Sequence, residues 1–225
     1  MMERDPIGTS LVDAWRSAWA VPVFRRWTFV VLAAAVPIVW GLPAFFQAVE
    51  ARPGALPYDP VLPRFVPKDV TWATFAVLYG TLVAGLFRLS RKPWSLLRAL
   101  VAYLCLTGMR MVTLWSFTLE PPPTIIPLTD PFTQFFYPGA TPFLKDLFFS
   151  GHTATLALLA CTAERGPWRW WTILATVAIG ALVMVQHVHW TVDVLTAPVF
   201  AFVAWYLSGK APGLRGNDGS AFAAA

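Results

Sequence analysis

Four uncharged apolar runs, Trp27 to Val49, Val70 to Phe87, Leu147 to Ala163 and Trp170 to Gln186, each have the length a helix needs to cross a bilayer. Two further runs complete the series. Pro93 to Phe117 is interrupted by Arg98 and Arg110, and Trp190 to Gly209 is interrupted near its start by Asp193. The pattern predicts an all-α integral membrane protein with six transmembrane helices and both termini on one side. Composition agrees, since a 225-residue chain that is 57% hydrophobic and 13% charged is too apolar for an ordinary soluble domain.

The expected organisation has three parts. Residues 1–26 form a cytoplasmic interfacial segment, in which Leu11, Val12, Trp15 and Trp19 make an apolar stripe while Asp13, Arg16 and Ser17 lie on another face. Residues 27–209 form the six-helix catalytic domain, and residues 210–225 a cytoplasmic tail that is expected to be disordered. The first long apolar run lies beyond Arg25 and Arg26 and has the length of a retained span, so it does not read as a secretory signal peptide.

Charge sets the expected orientation. Arg16, Arg25 and Arg26 precede the first span, Arg88, Arg91 and Lys92 join the second to the third, Arg165 and Arg169 join the fourth to the fifth, and Lys210 and Arg215 follow the sixth. All fall on one side of a six-span topology, which the distribution of cations makes cytoplasmic. The net charge of +5 mostly reflects this orientation and gives little support to nucleic-acid binding. Cys105 and Cys161 lie in different predicted spans at different depths, so neither a disulfide nor a metal site is expected.

Against this apolar background two short stretches hold all three histidines: Asp146-Leu147-Phe148-Phe149-Ser150-Gly151-His152-Thr153, and His187-Val188-His189-Trp190-Thr191-Val192-Asp193. Ionisable groups are costly in a membrane and mark functional sites there. Ser150, Gly151 and His152 fall in the first turns of the fourth helix, where free backbone amides suit a phosphate. The fifth helix ends near His187 and the sixth begins near His189, so both stretches converge on the non-cytoplasmic face. His189 and Asp193 are spaced i,i+4, on one side of a helix. Asp193 can then hold the ring tautomer that leaves the other nitrogen of His189 to attack an electrophile, with His152 as general acid and base.

Arg110 is the other costly residue, and its guanidinium fork suits a phosphate clamp. Asp146 is divided between capping the fourth helix and substrate binding, and His187 between a structural role and substrate binding. Two Pro-rich loops, Arg52 to Lys68 and Thr118 to Pro142, are placed to cap a membrane-level pocket. Phe132, Phe135, Phe136 and Tyr137 would line its entry or face lipid. Trp190 is a candidate partner for a quaternary ammonium group.

At these residues the chain resembles the sphingomyelin synthase family, within the wider group of type 2 lipid phosphate phosphatases and phosphotransferases. The stretch from Asp146 to Thr153 is similar to its Asp-x-x-Phe-Ser-Gly-His-Thr motif, and His189 to Asp193 to its His-Tyr-Thr-hydrophobic-Asp motif, with Trp190 in place of tyrosine. Arg110-Met111-Val112-Thr113 with Thr118-Leu119 resembles the segment around the family's third helix. The likeness covers roughly Arg98 to Ala204. It implies six spans and a catalytic triad of His152, His189 and Asp193. It also implies transfer of a phospho-headgroup, phosphocholine or phosphoethanolamine, from a membrane phospholipid donor to ceramide or a diacylglycerol-type acceptor, with no cofactor and no metal. The Lys-x6-Arg-Pro motif of the ordinary phosphatase branch is not found in the chain, which favours transfer over monoester hydrolysis. A phospholipase C-type or phosphatase hydrolase and a non-enzymatic lipid-binding or transport protein are the competing classes. A homo-oligomer is compatible with either.

Overall fold

The computed structural model describes residues 10–130 and 142–214. Among them are seven α-helices: α1 (Leu11–Ala20), α2 (Pro22–Glu50), α3 (Thr71–Ser90), α4 (Pro93–Ser116), α5 (Gly151–Thr162), α6 (Pro167–Val185) and α7 (Thr191–Ser208). A single 3-10 turn spans Leu62–Arg64. Phe132, Phe135, Phe136, Tyr137, Arg215 and the terminal tail lie outside the described residues.

Local chemistry starts the helices where they start. Pro22, Pro93 and Pro167 occupy the first helical position, where the missing N–H costs nothing. Ser10 caps α1 by accepting the Asp13 N–H at 3.2 Å, and the Asp69 carboxylate accepts the Thr71 N–H at 2.9 Å at the start of α3. Gly166, at φ 138°, makes the turn from α5 into α6 in a conformation that L side chains rarely adopt.

Five helices, α2, α3, α4, α6 and α7, are long and apolar enough to cross a membrane. The fourth predicted span differs. Its helix, α5, has only 12 residues, or about 18 Å of rise, against a hydrocarbon core about 30 Å thick. Leu147 and Phe149, both buried, continue its path as non-helical chain, and hydropathy does not distinguish such a lead-in from a helical turn.

The short helix is also the centre of the bundle, in contact with α3, α4, α6 and α7. On one side Leu156 and Leu159 pack with Phe75, Leu78, Ile179 and Val183. On the other, Ala154, Ala157 and Leu158 meet Ala102 and Leu106 of α4 and the fully buried stripe Ala197, Ala201 and Ala204 of α7. Small residues at these positions let backbones approach closely, the means by which helices associate without a hydrophobic drive between them. Arg98, buried on α4, stays satisfied by stacking 3.7 Å from the Trp205 ring and donating to the Trp205 carbonyl at 3.3 Å. By contrast α2 touches the bundle chiefly through α4 and is mostly exposed. Helix α1 forms where the apolar stripe predicts it; Trp15 turns toward the bundle and donates to the Ser90 carbonyl at 2.8 Å, while Leu11 and Val12 stay exposed.

The two Pro-rich loops pair with each other at the end of the bundle that holds the histidines. Ala55 donates to the Thr118 carbonyl and accepts from the Glu120 N–H, both at 2.9 Å. Gly54 is required there, because a Cβ would meet the Leu119 carbonyl carbon at 2.6 Å. Lys145 closes the seam, donating to the Arg52 carbonyl at 2.7 Å and to the Glu120 carboxylate at 2.8 Å. The Lys145 hydrogen bond, aided by the Gly54 N–H, holds the Glu120 carboxyl below its ordinary range.

Candidate active site

The helix α5 terminus is built by Ser150. Its hydroxyl accepts from the Thr153 N–H at 3.4 Å and from the Thr153 hydroxyl at 3.1 Å, so Ser150, fully buried, is the N-cap. The expectation that Asp146 caps this helix is corrected. Asp146 lies outside the helix and its Oδ1 sits 2.6 Å from Nη2 of Arg110. Arg110 also donates from Nε to the Phe149 carbonyl at 3.2 Å. The guanidinium is thus pinned across the start of α5, and it rests on Gly151. A Cβ at that position would meet Arg110 Cζ at 2.9 Å and Nε at 3.0 Å.

His152, in the first turn of α5, reaches the His189 ring with centroids 6.3 Å apart. Phe75 backs its other side edge-on at 6.0 Å. Nδ1 of His189 lies 3.5 Å from Oδ2 of Asp193, and both side chains are buried. The pairing differs from the helical i,i+4 geometry expected of it. Helix α7 begins only at Thr191, with Trp190 as its N-cap residue, so His189 precedes the helix and reaches Asp193 across the turn. Asp193 has a second task that the spacing did not reveal: Oδ2 accepts the Trp190 N–H at 3.0 Å, holding the first turn closed. At 3.5 Å the contact with His189 is an ion-pair distance, longer than a hydrogen bond.

His187 is brought to the same region and put to a different use. It sits outside any helix at φ 57°, with Nε2 donating to the Phe65 carbonyl at 3.0 Å and Nδ1 accepting from the Thr124 hydroxyl at 2.6 Å. Both ring nitrogens are occupied in tying one Pro-rich loop to the other. Trp190 is buried in the core and donates from Nε1 to the Glu120 carbonyl at 2.9 Å, so its ring is unavailable to a headgroup.

A cavity of about 360 Å³ opens beside this assembly. Arg110, Asp146, Gly151 and His152 form its polar end, and Phe45, Phe46, Leu78 and Leu82 are among its apolar walls. His189 stands behind His152 and does not line it.

Two residues that carry the site have no motif to announce them. Asp59, in the first loop, accepts the Thr191 N–H at 2.7 Å and the Thr191 hydroxyl at 3.0 Å, and also the Val61 and Leu62 N–H groups at 2.9 and 3.0 Å. It therefore fastens the loop to the first residue of α7. Burial alone would raise its carboxyl, but the N–H groups of Leu62, Thr191 and Val61 with the Thr191 hydroxyl bring it below its ordinary range. Gln186, fully buried, donates to Thr71 Oγ1 at 2.8 Å and to the Ile126 carbonyl at 3.3 Å and accepts from the Val70 N–H at 3.2 Å, joining α3, α6 and the second loop. An Asp in a Pro-rich loop just upstream of a turn is a weak signal for the first, and the single amide at the end of an apolar run is one for the second.

Residues 145–210 match the family model described as PAP2 superfamily C-terminal. The matched segment runs from the lead-in of α5 through the end of α7 and contains His152, His189 and Asp193. The match supports the type 2 phosphatidic acid phosphatase superfamily, and with it an enzyme acting on phosphate groups. The long apolar helices fit a multi-pass membrane protein. No curated protein and no solved structure matches the chain.

Proposed function

We propose that the protein is a lipid phosphotransferase of the sphingomyelin synthase type, moving a phosphocholine or phosphoethanolamine headgroup from a glycerophospholipid to ceramide or a similar lipid alcohol. One observation carries the reading: the buried His189 faces the partly exposed His152, ring centroids 6.3 Å apart, beside a cavity whose polar end is a guanidinium laid on a helix N-terminus.

In this reading the donor phosphate binds between Arg110 and the start of α5. Nε2 of His189 attacks phosphorus while Asp193 steadies the imidazolium that develops on its Nδ1 side. The bond from phosphorus to the glycerol oxygen breaks, and His152 gives that oxygen its proton, releasing diacylglycerol. The acceptor hydroxyl then attacks the phosphohistidine, His152 takes its proton, and the nitrogen–phosphorus bond breaks. His152 loses its proton in the first step and regains one in the second, so the enzyme returns to its starting state over the full cycle.

The histidine end of the bundle faces the non-cytoplasmic leaflet, with α5 and its non-helical lead-in forming the sixth crossing and α1 lying in the cytoplasmic interface. The cation distribution and the buried path of Leu147 and Phe149 support this arrangement. Mass spectrometry of lipids made by the purified enzyme, offered mixed phospholipid donors with ceramide and with diacylglycerol, tests the activity. The expected product is a ceramide phospho-headgroup lipid with stoichiometric diacylglycerol. A second reading, hydrolysis with water as acceptor, is favoured by the breadth of the superfamily match, which takes in phosphatases. Free phospho-headgroup formed at the same rate with and without ceramide would establish it.

A further inference from the structure

At the end of the bundle opposite the histidines, a cavity of about 340 Å³ lies between the end of α3, the start of α4, the end of α5 and the start of α6. Arg88, Arg91, Lys92 and Arg165 line it, with Trp168 and Ser95. Arg88 lies 5.1 Å over the Trp168 ring, and Lys92 is paired with Glu164. Among the described residues no carboxylate comes within ion-pair distance of Arg88, Arg91 or Arg165. A bias of cations toward one membrane face explains their sign. It does not explain their convergence around a concave space in which Glu164, paired with Lys92, is the one carboxylate of the lining.

The shape of the neighbouring surface names the counter-charge. A second cavity, of about 300 Å³, adjoins the first and shares Leu89 and Thr162 with it, while its far end meets the histidine-side cavity at Leu82, Tyr103 and Thr155. Its walls are almost wholly apolar, formed by residues such as Leu86, Leu96, Ala99, Leu100 and Leu158. Leu86 and Leu100 are partly exposed on the lateral face of the bundle, so the groove opens to where lipid chains would be. A soluble anion would fill the basic cavity and leave the groove empty. A molecule with an anionic head and a hydrocarbon chain covers both.

We propose that these joined cavities bind an anionic phospholipid of the leaflet opposite the histidine site, with its phosphate among Arg88, Arg91 and Arg165 and one chain along the Leu96–Ala99–Leu158 groove. Basic pockets between membrane helices recognise lipid phosphate by charge, and the adjacent groove supplies the selectivity for lipid over free phosphate. The site stands whether or not the phosphotransferase reading does, because it uses none of the histidine residues.

The test uses the full chain in a neutral detergent and reads binding by native mass spectrometry and by thermal unfolding. The probes are phosphatidylglycerol, phosphatidylcholine and inorganic phosphate. Phosphatidylglycerol should bind at least about tenfold more tightly than phosphatidylcholine and raise the unfolding temperature, while inorganic phosphate should do neither. Arg88→Ala combined with Arg91→Ala and Arg165→Ala, all three surface-exposed positions, should weaken phosphatidylglycerol by about tenfold or more. Ala99→Phe, which fills the groove and leaves the cations in place, should weaken it comparably. Equal binding of the two lipids, or unchanged phosphatidylglycerol binding in the triple variant, would overturn the site. Stabilisation by inorganic phosphate equal to that by lipid, with Ala99→Phe silent, would overturn the lipid as its occupant.

Discussion

The backbone N–H of Ser150 donates to the carbonyl oxygen of Asp193 at 3.0 Å. The two residues are distant in sequence, yet one begins the helix that carries His152 and the other belongs to the turn that carries His189. This single bond, with the close packing of α5 on α7 behind it, sets the spacing between the two imidazoles. Neither helix end can shift without moving its histidine relative to the other, so the two imidazoles are positioned by backbone and not by flexible side-chain contacts.

His189→Ala should abolish headgroup transfer, and His152→Ala should lower kcat by about 10²–10⁴-fold, the range for losing a positioned general acid and base. The two variants separate at the intermediate. With a donor labelled in its phosphate, His152→Ala should still accumulate acid-labile label on the protein, slowly, whereas His189→Ala should show none. Asp193→Asn keeps an oxygen to accept the Trp190 N–H and removes the charge beside His189, so it should preserve the unfolding temperature and still cost activity. Transfer at the wild-type rate by purified His189→Ala would eliminate the phosphohistidine route.

Gly151→Ala should raise KM with a smaller effect on kcat. The added Cβ would lie 2.9 to 3.1 Å from three atoms of the Arg110 guanidinium, which is held by Asp146 and the Phe149 carbonyl and must give way. Loss of one well-aligned charged hydrogen bond to phosphate is worth about 1.5–3 kcal/mol, or roughly 10- to 100-fold in KM. Arg110→Lys should be comparably impaired, because an ammonium cannot reproduce a fork that spans Asp146 and the ligand. Initial-rate kinetics over a range of donor concentration measure both; an unchanged KM in Gly151→Ala would mean that the guanidinium does not meet the substrate.

How much of this was legible in advance depended on the range of the interaction. The apolar runs predicted the long helices because hydropathy is a local property, and they overstated α5 because it cannot tell a helical turn from a buried non-helical one at Leu147 and Phe149. The spacing of His189 and Asp193 pointed to the right neighbours on a mistaken geometry, since the contact crosses an N-terminal turn instead of a helix face. Asp146 and His187 have partners, Arg110, Thr124 and Phe65, that lie far away in sequence, so their roles followed from tertiary contacts alone. The same is true of Asp59, whose bond to Thr191 spans 132 positions.

Asp59→Asn should loosen the start of α7 and flatten the acid limb of stability. The folded-state carboxyl lies below its ordinary value of 3.8. Its contribution is therefore fully present above pH 3.8, and is lost as pH falls through the lower folded-state value. Thermal unfolding of the wild type from pH 6 downward should show this loss at the acid end, and Asp59→Asn should be nearly level there while remaining less stable at neutral pH. Removing an N-terminal cap of this kind costs about 0.5–2 kcal/mol. Because Thr191 follows His189 by two residues, kcat should fall as well, with KM for the donor little changed. A variant as stable and as active as the wild type at every pH would show that the loop does not hold the helix.

His187→Ala should injure the fold and spare the chemistry. The substitution strips the partner from the Thr124 hydroxyl, on an exposed residue, and from the carbonyl of the partly buried Phe65, so water can replace part of what is lost and the cost is about 1 kcal/mol. It also leaves an alanine at φ 57°, which adds strain that asparagine or glycine would relieve. His187→Asn should accordingly be more stable than His187→Ala, since asparagine tolerates the left-handed backbone and retains a hydrogen-bonding side chain. Unfolding temperatures order the variants, and activity per folded molecule separates the two roles. If His187 only ties the loops together, kcat and KM of the folded fraction stay within about threefold of the wild type, well short of the losses that general acid–base residues give. A KM raised tenfold in a His187→Asn protein of normal stability would instead place its ring on the substrate.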